Sequence, residues 1–398
     1  MESLHTYHRN LLKPVSLDFR RFIYEEINWD QRMLAIKGPR GSGKTTLMLQ
    51  RIKYGLKLPS EESLYLTADH HWFYTNTLFE TAEQFYLNGG RYLFIDEVHK
   101  YPRWSRELKN LYDGFPDLRI VFSASSALDI YRGEADLSRR VITYNLPGMS
   151  FREYLKLTGK AEFDSFTLQE IKSNHQAIAG RITDQIQPLP LFKNYLKFGY
   201  LPIINESAEE EIGLRLNQII TAVVESDLSS IEGFDSGTAT KIKKLLGVVA
   251  ESAPFKPNIS SLARKLDSSR DSVYAWLRIL EHARLLNSLQ RAGKGVSVLQ
   301  KPDKIYLGNT NLAYTMKENP DIGSLRKSFM LSQLRNAGHE VTMPETGDFL
   351  VNGITIEVGG RNKSAGQIKD ADQPIVAADG IESGFKNKIP LWLFGFLY

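Results

Sequence analysis

Short apolar runs and helical repeats alternate through the first third of the chain. Residues 32–37, 63–67, 90–98 and 118–123 are apolar stretches of strand length, bounded by glycine, proline or polar clusters. Between them, residues 46–53 and the stretch from 99 to Tyr112 carry apolar positions at three and four spacing. Strands that alternate with helices predict a parallel sheet covered on both faces. Upstream, Phe19, Phe22, Ile23 and Ile27 give residues 10–30 a mostly helical pattern. Residues 163–232 are helical, with one break at 198–202. Three further helices are expected at 240–253, 260–266 and 269–281, and then strands at 283–290 and 296–299 around the basic turn of Arg291 and Lys294. The last hundred residues predict another α/β unit: a strand at 304–307, a helix at 325–337, and strands 347–351 and 354–358 joined by Asn352 and Gly353. A final buried strand is expected at 389–398.

Composition narrows the classes. At 398 residues the chain should form two or three domains, and 42% hydrophobic with 24% charged residues is ordinary for a folded protein. There is no cysteine, which excludes disulfides, thiol catalysis and cysteine-held zinc. The N-terminus lacks a basic segment followed by an apolar one, and no apolar run reaches membrane-spanning length, so no membrane association is expected and a cytoplasmic location is. A formal charge of +4 does not by itself establish a polyanion partner.

The chemistry centres on Gly38, Pro39, Arg40, Gly41, Ser42, Gly43, Lys44 and Thr45, which fit G-x-x-x-x-G-K-[ST] between an expected strand and an expected helix. That context makes a phosphate cradle: backbone amides through Thr46 turn onto phosphates, Lys44 reaches the β- and γ-phosphates, and Thr45 ligates Mg²⁺. The strand 90–98 ends in Asp96 and Glu97; the first suits Mg²⁺, the second an attacking water. Two acids there point to hydrolysis of Mg·ATP. Ser123 and Ser125, at the tip of the next strand, are candidates to sense the γ-phosphate, or are turn formers. Arg139 and Arg140 follow; one faces nucleotide, in its own subunit or a neighbour's, or both lie on the surface. His70 and His71 read as loop histidines, since adjacent side chains diverge.

These stretches, in the order 38–45, 93–104, 121–126 and 146–154, resemble a widespread family of bacterial and archaeal AAA-type ATPases with a C-terminal region catalogued as domain of unknown function 4143. The resemblance implies an ASCE-type P-loop core and assigns Arg140 to the family's arginine after the sensor strand. The fold class expected is therefore α/β: an AAA-like P-loop ATPase domain (1–158), a helical lid or connector (159–236), a winged helix (237–300) and a nuclease-like α/β domain (301–398).

In the winged helix, Ser269, Arg270, Ser272 and Tyr274 are expected near a DNA groove, with Arg291 and Lys294 on phosphates. In the last domain Asp348 and Glu357, on adjoining strands, suggest the metal site of a PD-(D/E)xK nuclease, and the family's C-terminal region looks like that fold. The pattern departs in two places: Gly359 stands where the lysine belongs, and Arg326, Lys327 and Ser328 stand where a glutamate is usual, with Lys363 or Gln367 as partial substitutes. The fold is expected without the activity. The leading expectation is an ATP-hydrolysing switch that acts on double-stranded DNA. The alternatives are an ATP-regulated nuclease and an ATP-binding scaffold for protein partners or further copies of itself.

Overall fold

A computed structural model describes residues 1–126, 137–205, 209–228, 234–252, 254–291 and 302–398. They divide into a unit Met1–Gly148 and a unit Met149–Tyr398.

The first unit runs α1 (Glu2–Leu12), α2 (Ile23–Glu26), β1 (Met33–Gly38), α3 (Lys44–Gln50), β2 (Ser63–Thr67), α4 (Leu78–Leu87), β3 (Tyr92–Asp96), α5 (Trp104–Gly114), β4 (Arg119–Ser125) and β5 (Ile142–Asn145). All five strands are parallel, in the order β2-β3-β4-β1-β5. Every residue of β1 is buried, because helices cover both faces and the period of two sends alternate side chains to each. Met33, Ala35, Ile95 and Phe122 pack against Leu78 and Phe85 of α4 and Leu108 of α5. Leu34, Ile36, Phe94 and Val121 pack against Tyr24 of α2 and Leu47 and Met48 of α3. Helix α4 starts where Thr77 accepts from the Glu80 amide while the Glu80 carboxylate accepts from Thr77 N–H, a reciprocal cap.

Residues 10–30 are less helical than their spacing predicts. The long helix lies earlier, at Glu2–Leu12, and only one turn, Ile23–Glu26, follows it. The irregular stretch between them is held by polar side chains instead: Gln50 Nε2 donates to Ser16 O (2.9 Å) and Phe19 O (2.8 Å), and Lys53 Nζ to Val15 O (2.8 Å).

The second unit contains α6 (Phe151–Leu157), α7 (Leu168–Thr183), α8 (Pro188–Phe198), α9 (Glu209–Ala222), α10 (Ser236–Ser252), α11 (Ile259–Lys265), α12 (Arg270–His282), β6 (Leu286–Leu289), β7 (Lys304–Leu307), α13 (Thr310–Met316), α14 (Ile322–Asn336), β8 (Phe349–Val351), β9 (Ile354–Gly359), β10 (Ile375–Ala378) and β11 (Lys388–Pro390). The three helices α10 to α12 form as expected. Among the described residues the partner of β6 is β7, antiparallel, with Phe255 bridging to Ile305 on the far side. Lys294 and the strand expected at 296–299 lie outside the described residues. Lys304–Leu307 thus completes the three-helix module and does not open the last sheet.

That last sheet has the order β11-β10-β9-β8, parallel except for the β8–β9 hairpin. The hairpin turns on Asn352 (φ 49°) and Gly353 (φ 79°), the positive-φ pair that two-residue hairpins need. The expected terminal strand shortens to Lys388–Pro390 and continues as 3₁₀ turns, Leu391–Phe396, buried throughout. Phe396 is the hub: its ring lies within 6.4 Å, centroid to centroid, of Phe151, Phe163, Phe166 and Trp392. Phe166 N–H donates to Phe396 O and Arg152 Nε to Tyr398 O, so the connector helices fold around the chain's last turn. Arg335 of α14 joins the module to the last sheet by donating to Asn287 Oδ1 (3.1 Å) and Ser288 O (2.5 Å) and by pairing with Glu281 (3.5 Å).

Truncating the hub should cost what large-to-small changes in aromatic cores cost. Phe396→Ala should lower the stability of the second unit by about 3–5 kcal/mol in a denaturant titration, while nucleotide binding by the first unit persists below that transition. An unchanged midpoint would show that the terminal turns are not part of the cooperative core.

Candidate nucleotide site

Parallel pairing brings the C-terminal ends of β1, β3 and β4 to one edge. Because β4 lies between β1 and β3, Ile36 is level with Ser123, and Ile95 with Phe122, which sets Asp96 beside Ser123. Open α/β sheets bind ligands at this edge. The loop after β1 needs its glycines: Gly41 (φ 80°) and Gly43 (φ 94°) are left-handed, and a Cβ at Gly38 would fall 2.3 Å from Leu146 O. The helical ladder of α3 closes first from Leu47 N–H onto Gly43 O (3.0 Å), so the amides of its first turn lie ahead of it.

Asp96 is buried and fully engaged. Its Oδ2 accepts from Thr45 Oγ1 (2.5 Å) and Tyr65 Oη (2.7 Å), and its Oδ1 accepts from the Ser123 hydroxyl. Glu97 follows in a left-handed conformation (φ 50°), which costs a non-glycine residue of order 1–2 kcal/mol. Its N–H offsets that cost by donating to both Ser123 Oγ (3.0 Å) and Asp96 Oδ1 (3.1 Å). Burial and the neighbouring Asp96 charge raise the Glu97 pKa, against the pull of His99 and Arg40. A carboxyl with a raised pKa is a better proton acceptor from water.

Lys44 Nζ donates to Gly38 O (2.9 Å) and Pro39 O (3.1 Å), which holds an ammonium group over the loop. Thr45 Oγ1 and Asp96 Oδ2, in direct contact, are the hard oxygen donors that Mg²⁺ takes. The donor set therefore fits a metal-bound nucleoside triphosphate. Lys44 and the loop would hold its phosphates, Thr45 and Asp96 its metal, and the metal would supply charge neutralisation of the phosphates.

The expected site residues separate into those the fold gathers and those it does not. Lys44, Thr45, Asp96, Glu97 and Ser123 meet at the sheet edge. Ser123, expected to sense a phosphate, faces the two acids and fixes their geometry. Ser125 lies level with Gly38 and its N–H approaches His99 Nδ1 at 3.5 Å. Arg140 pairs in bidentate fashion with Asp113 at the end of α5 (2.8 and 2.9 Å), and Arg139 is exposed. The rings of His70 and His71 lie 4.2 Å apart, tilted at 31°, so these adjacent side chains come together where they were expected to diverge, and among the described residues no cluster of histidine and acidic side chains is arranged to hold a metal.

Two residues were not legible as site residues. Tyr65 sits within an apolar strand, and only the fold shows its hydroxyl on Asp96. Arg21 is buried and donates to Ser42 O, Pro147 O (2.8 Å) and Gly148 O (3.1 Å), tying the phosphate loop to the end of the unit. In sequence it is one of two adjacent arginines in a helical pattern.

In the second unit, Ser269 caps α12 by accepting from Ser272 N–H (3.0 Å), and Arg291 is tied to Asp303, its N–H to Oδ2 at 3.0 Å. Arg270 is exposed at the start of α12. Glu357 lies on β9 as expected, while Asp348 falls just before β8, where Val358 N–H donates to its Oδ2 (3.0 Å), and each carboxylate is paired with a lysine: Asp348 Oδ1 with Lys327 (2.6 Å), Glu357 Oε1 with Lys363 (2.5 Å).

Residues 30–155 match the family model described as an AAA domain, and residues 189–322 match a domain of unknown function, DUF8612, where the resemblance implied domain 4143. The second match runs from α8 through α13, across the boundaries expected at 236 and 300. Over 393 residues the chain is 26% identical to the uncharacterized protein MJ1637 of Methanocaldococcus jannaschii, covering 91% of this chain and 82% of that protein. A solved structure of C. elegans PCH-2 aligns over 69% of this chain and 67% of its own at 16% identity, with a TM-score of 0.26, too loose a superposition to support any inference. The AAA-domain match and the parallel sheet with its phosphate loop support an AAA-type, nucleotide-binding P-loop ATPase. Among the described residues no helix is long and apolar enough to cross a membrane.

Two outcomes follow from this geometry. Arg21→Ala strips three carbonyl oxygens of a charged donor and should cost about 2–4 kcal/mol of stability, together with weaker nucleotide binding in a fluorescence titration. Arg21→Lys should not restore it, because one ammonium lacks the guanidinium fork. The second outcome concerns pH. His8 Nδ1 accepts from Tyr65 N–H (2.9 Å), and burial, with smaller contributions from His5 and Arg9, lowers its pKa to about 4. The unfolded ring titrates near 6.5, so between the two values the unfolded state binds more protons. His8 therefore contributes stability that is complete above about pH 6.5 and is lost as pH falls toward 4. His8→Asn, which keeps an acceptor, should show a smaller loss of stability between roughly pH 7 and 4.5 than wild type; equal losses would show that the ring is not the titrating group.

Proposed function

We propose that this chain is a Mg²⁺-dependent ATPase whose nucleotide state governs a DNA-contacting second unit. Lys44 and the loop 38–46 bind the phosphates, Thr45 and Asp96 hold the metal through Asp96's fixed orientation, and Glu97 accepts a proton from the attacking water. The single observation that carries this reading is the contact of Asp96 with Thr45 and Ser123, which joins the phosphate loop to the acid pair. Ser123 acts as a positioning residue in this scheme, holding Glu97 by its amide.

The module α10–α12 with the β6–β7 ribbon is read as a winged helix, on the helix order, the Phe255–Ile305 bridge and the antiparallel ribbon. Arg270 would lie at the groove. Arg291, engaged with Asp303, is a weaker candidate than its sequence position implied. The last domain is read as nuclease-like without nuclease activity, since its two carboxylates are taken up by lysines. The domain limits 1–158, 159–236, 237–300 and 301–398 remain our division, with the proviso that β7 belongs to the winged helix. Arg140, held by Asp113, is not offered as a finger within its own chain. Exposed Arg139 would be available to a second copy.

The test is phosphate release from Mg·ATP by wild type, Lys44→Ala and Glu97→Gln, with and without duplex DNA. Turnover should be lost by 100-fold or more in both variants, as removal of a general base or a phosphate-binding lysine costs on the order of 10²–10⁴, and DNA should stimulate the wild type. Binding of ATP with no turnover under any condition would replace the ATPase by an ATP-bound scaffold.

A further inference from the structure

The Asp96 carboxylate is saturated with donors. Among the described residues it accepts four: Thr45 Oγ1 (2.5 Å) and Tyr65 Oη (2.7 Å) on Oδ2, and the Ser123 hydroxyl and Glu97 N–H (3.1 Å) on Oδ1. An ionised carboxylate offers about four lone-pair positions, so no acceptor position is left over. To hold Mg²⁺, directly or through a water on the ion, Asp96 has to turn at least one of those positions over to it. One of the four donors therefore competes with the metal for the same oxygen.

Three of the four are retained by other bonds or roles. Glu97 N–H is main chain and is shared between Asp96 Oδ1 and Ser123 Oγ (3.0 Å), so Ser123, Glu97 and Asp96 form a closed set that supports the left-handed turn at Glu97. A threonine hydroxyl that ligates a metal through its oxygen keeps its proton, so Thr45 can serve the ion and still donate to Oδ2. Tyr65 has no second role of this kind, because among the described residues its hydroxyl bonds only to Asp96. Its ring is also fixed. It is 2% exposed, in the same core as Leu47, Met48 and Phe94, with Tyr7 of α1 stacked on it at 6.5 Å, and Tyr65 N–H is bound to His8 Nδ1 (2.9 Å). A ring held on several sides stays in place when Asp96 shifts toward a cation, and its hydrogen bond is the one that is given up.

We propose that Tyr65 is a positioning residue whose hydroxyl competes with the metal for Asp96 Oδ2, so that it weakens the hold on Mg·nucleotide and speeds its release. The proposal rests on the reading of Thr45 and Asp96 as the residues that hold the metal. Loading the metal complex costs one charge-assisted hydrogen bond, and that bond re-forms when the product leaves. The phosphate contacts of Lys44 and the loop are not involved.

The test titrates the full chain with fluorescent analogues of ATP and ADP, in EDTA and in Mg²⁺. Tyr65→Phe keeps the ring and removes only the competing hydroxyl. Its affinity for the ATP analogue in EDTA should match wild type, while its affinity in Mg²⁺ should rise by roughly tenfold, the scale of one hydrogen bond to a charged group. Dissociation of the ADP analogue should slow by a similar factor in Mg²⁺ and stay unchanged in EDTA. A merely structural role would move the EDTA and Mg²⁺ affinities together, and that result would overturn the proposal. Unchanged affinity in Mg²⁺ would show that Tyr65 stays on Asp96 with the metal bound, and weaker affinity in Mg²⁺ alone would show that it orients Asp96 for the metal. Either overturns the competition and leaves the ATPase reading standing. If wild type itself binds the ATP analogue equally well in EDTA and in Mg²⁺, the metal-holding role of Thr45 and Asp96 fails, and the competition falls with it.

Discussion

A buried carboxylate at the end of β3 sets the terms for the first unit. Asp96 is 3% exposed, and an unpartnered charge at that depth would be prohibitively costly. Its donors come from three different elements: Thr45 from α3, Tyr65 from β2 and Ser123 from β4. Each of those side chains reaches it only if β4 lies between β1 and β3 and the strand registers are kept. The strand order, the phosphate loop and the left-handed turn at Glu97 are thus coupled through one side chain. Beneath this, His8 ties α1 to the amide of Tyr65, which extends the coupling to the N-terminal helix.

The second unit is organised by a different constraint, the burial of its own C-terminus. Leu391–Phe396 carries no strand partner, yet it is fully buried because α6, α7, α8 and α14 pack around it. Phe192 and Tyr195 of α8 meet Phe329 of α14 edge-on, at 4.8 and 6.1 Å. Asn311 of α13 adds polar staples to the same helix, donating to Tyr195 O and Leu196 O and accepting from Tyr200 N–H. Helices that read in sequence as a connector are therefore one wall of the C-terminal core.

What the sequence made legible was local. The phosphate loop, the acid pair and the Asn352–Gly353 turn are each set by a few adjacent residues with one physical role, and each forms at its expected place. What it hid was long-range. Strand 304–307 pairs across a gap with 286–289, and no local signal distinguishes that choice from the basic turn nearer at hand. Tyr65 looks like any aromatic in a buried strand. Arg140 was placed near nucleotide by resemblance, whereas its pairing with Asp113 depends on how α5 ends. Lys327 stood in the sequence as part of a departure from a metal motif and Lys363 as a partial substitute within it, and only the fold shows them seated on the carboxylates.

The two acid pairs of this chain make the same point about charge from opposite sides. Asp96 is satisfied by hydroxyls, which stabilise its negative charge without cancelling it, so the charge remains for a cation. Asp348 and Glu357 are satisfied by ammonium groups, which cancel theirs and exclude one. Asp96, Asp348 and Glu357 are buried to the same extent, each 3% exposed. In the reading proposed above, the identity of the donor separates a buried carboxylate left available to a metal from one that is a strut, and that identity is fixed by which residue a neighbouring helix presents: Thr45 from α3 in one case, Lys327 from α14 in the other.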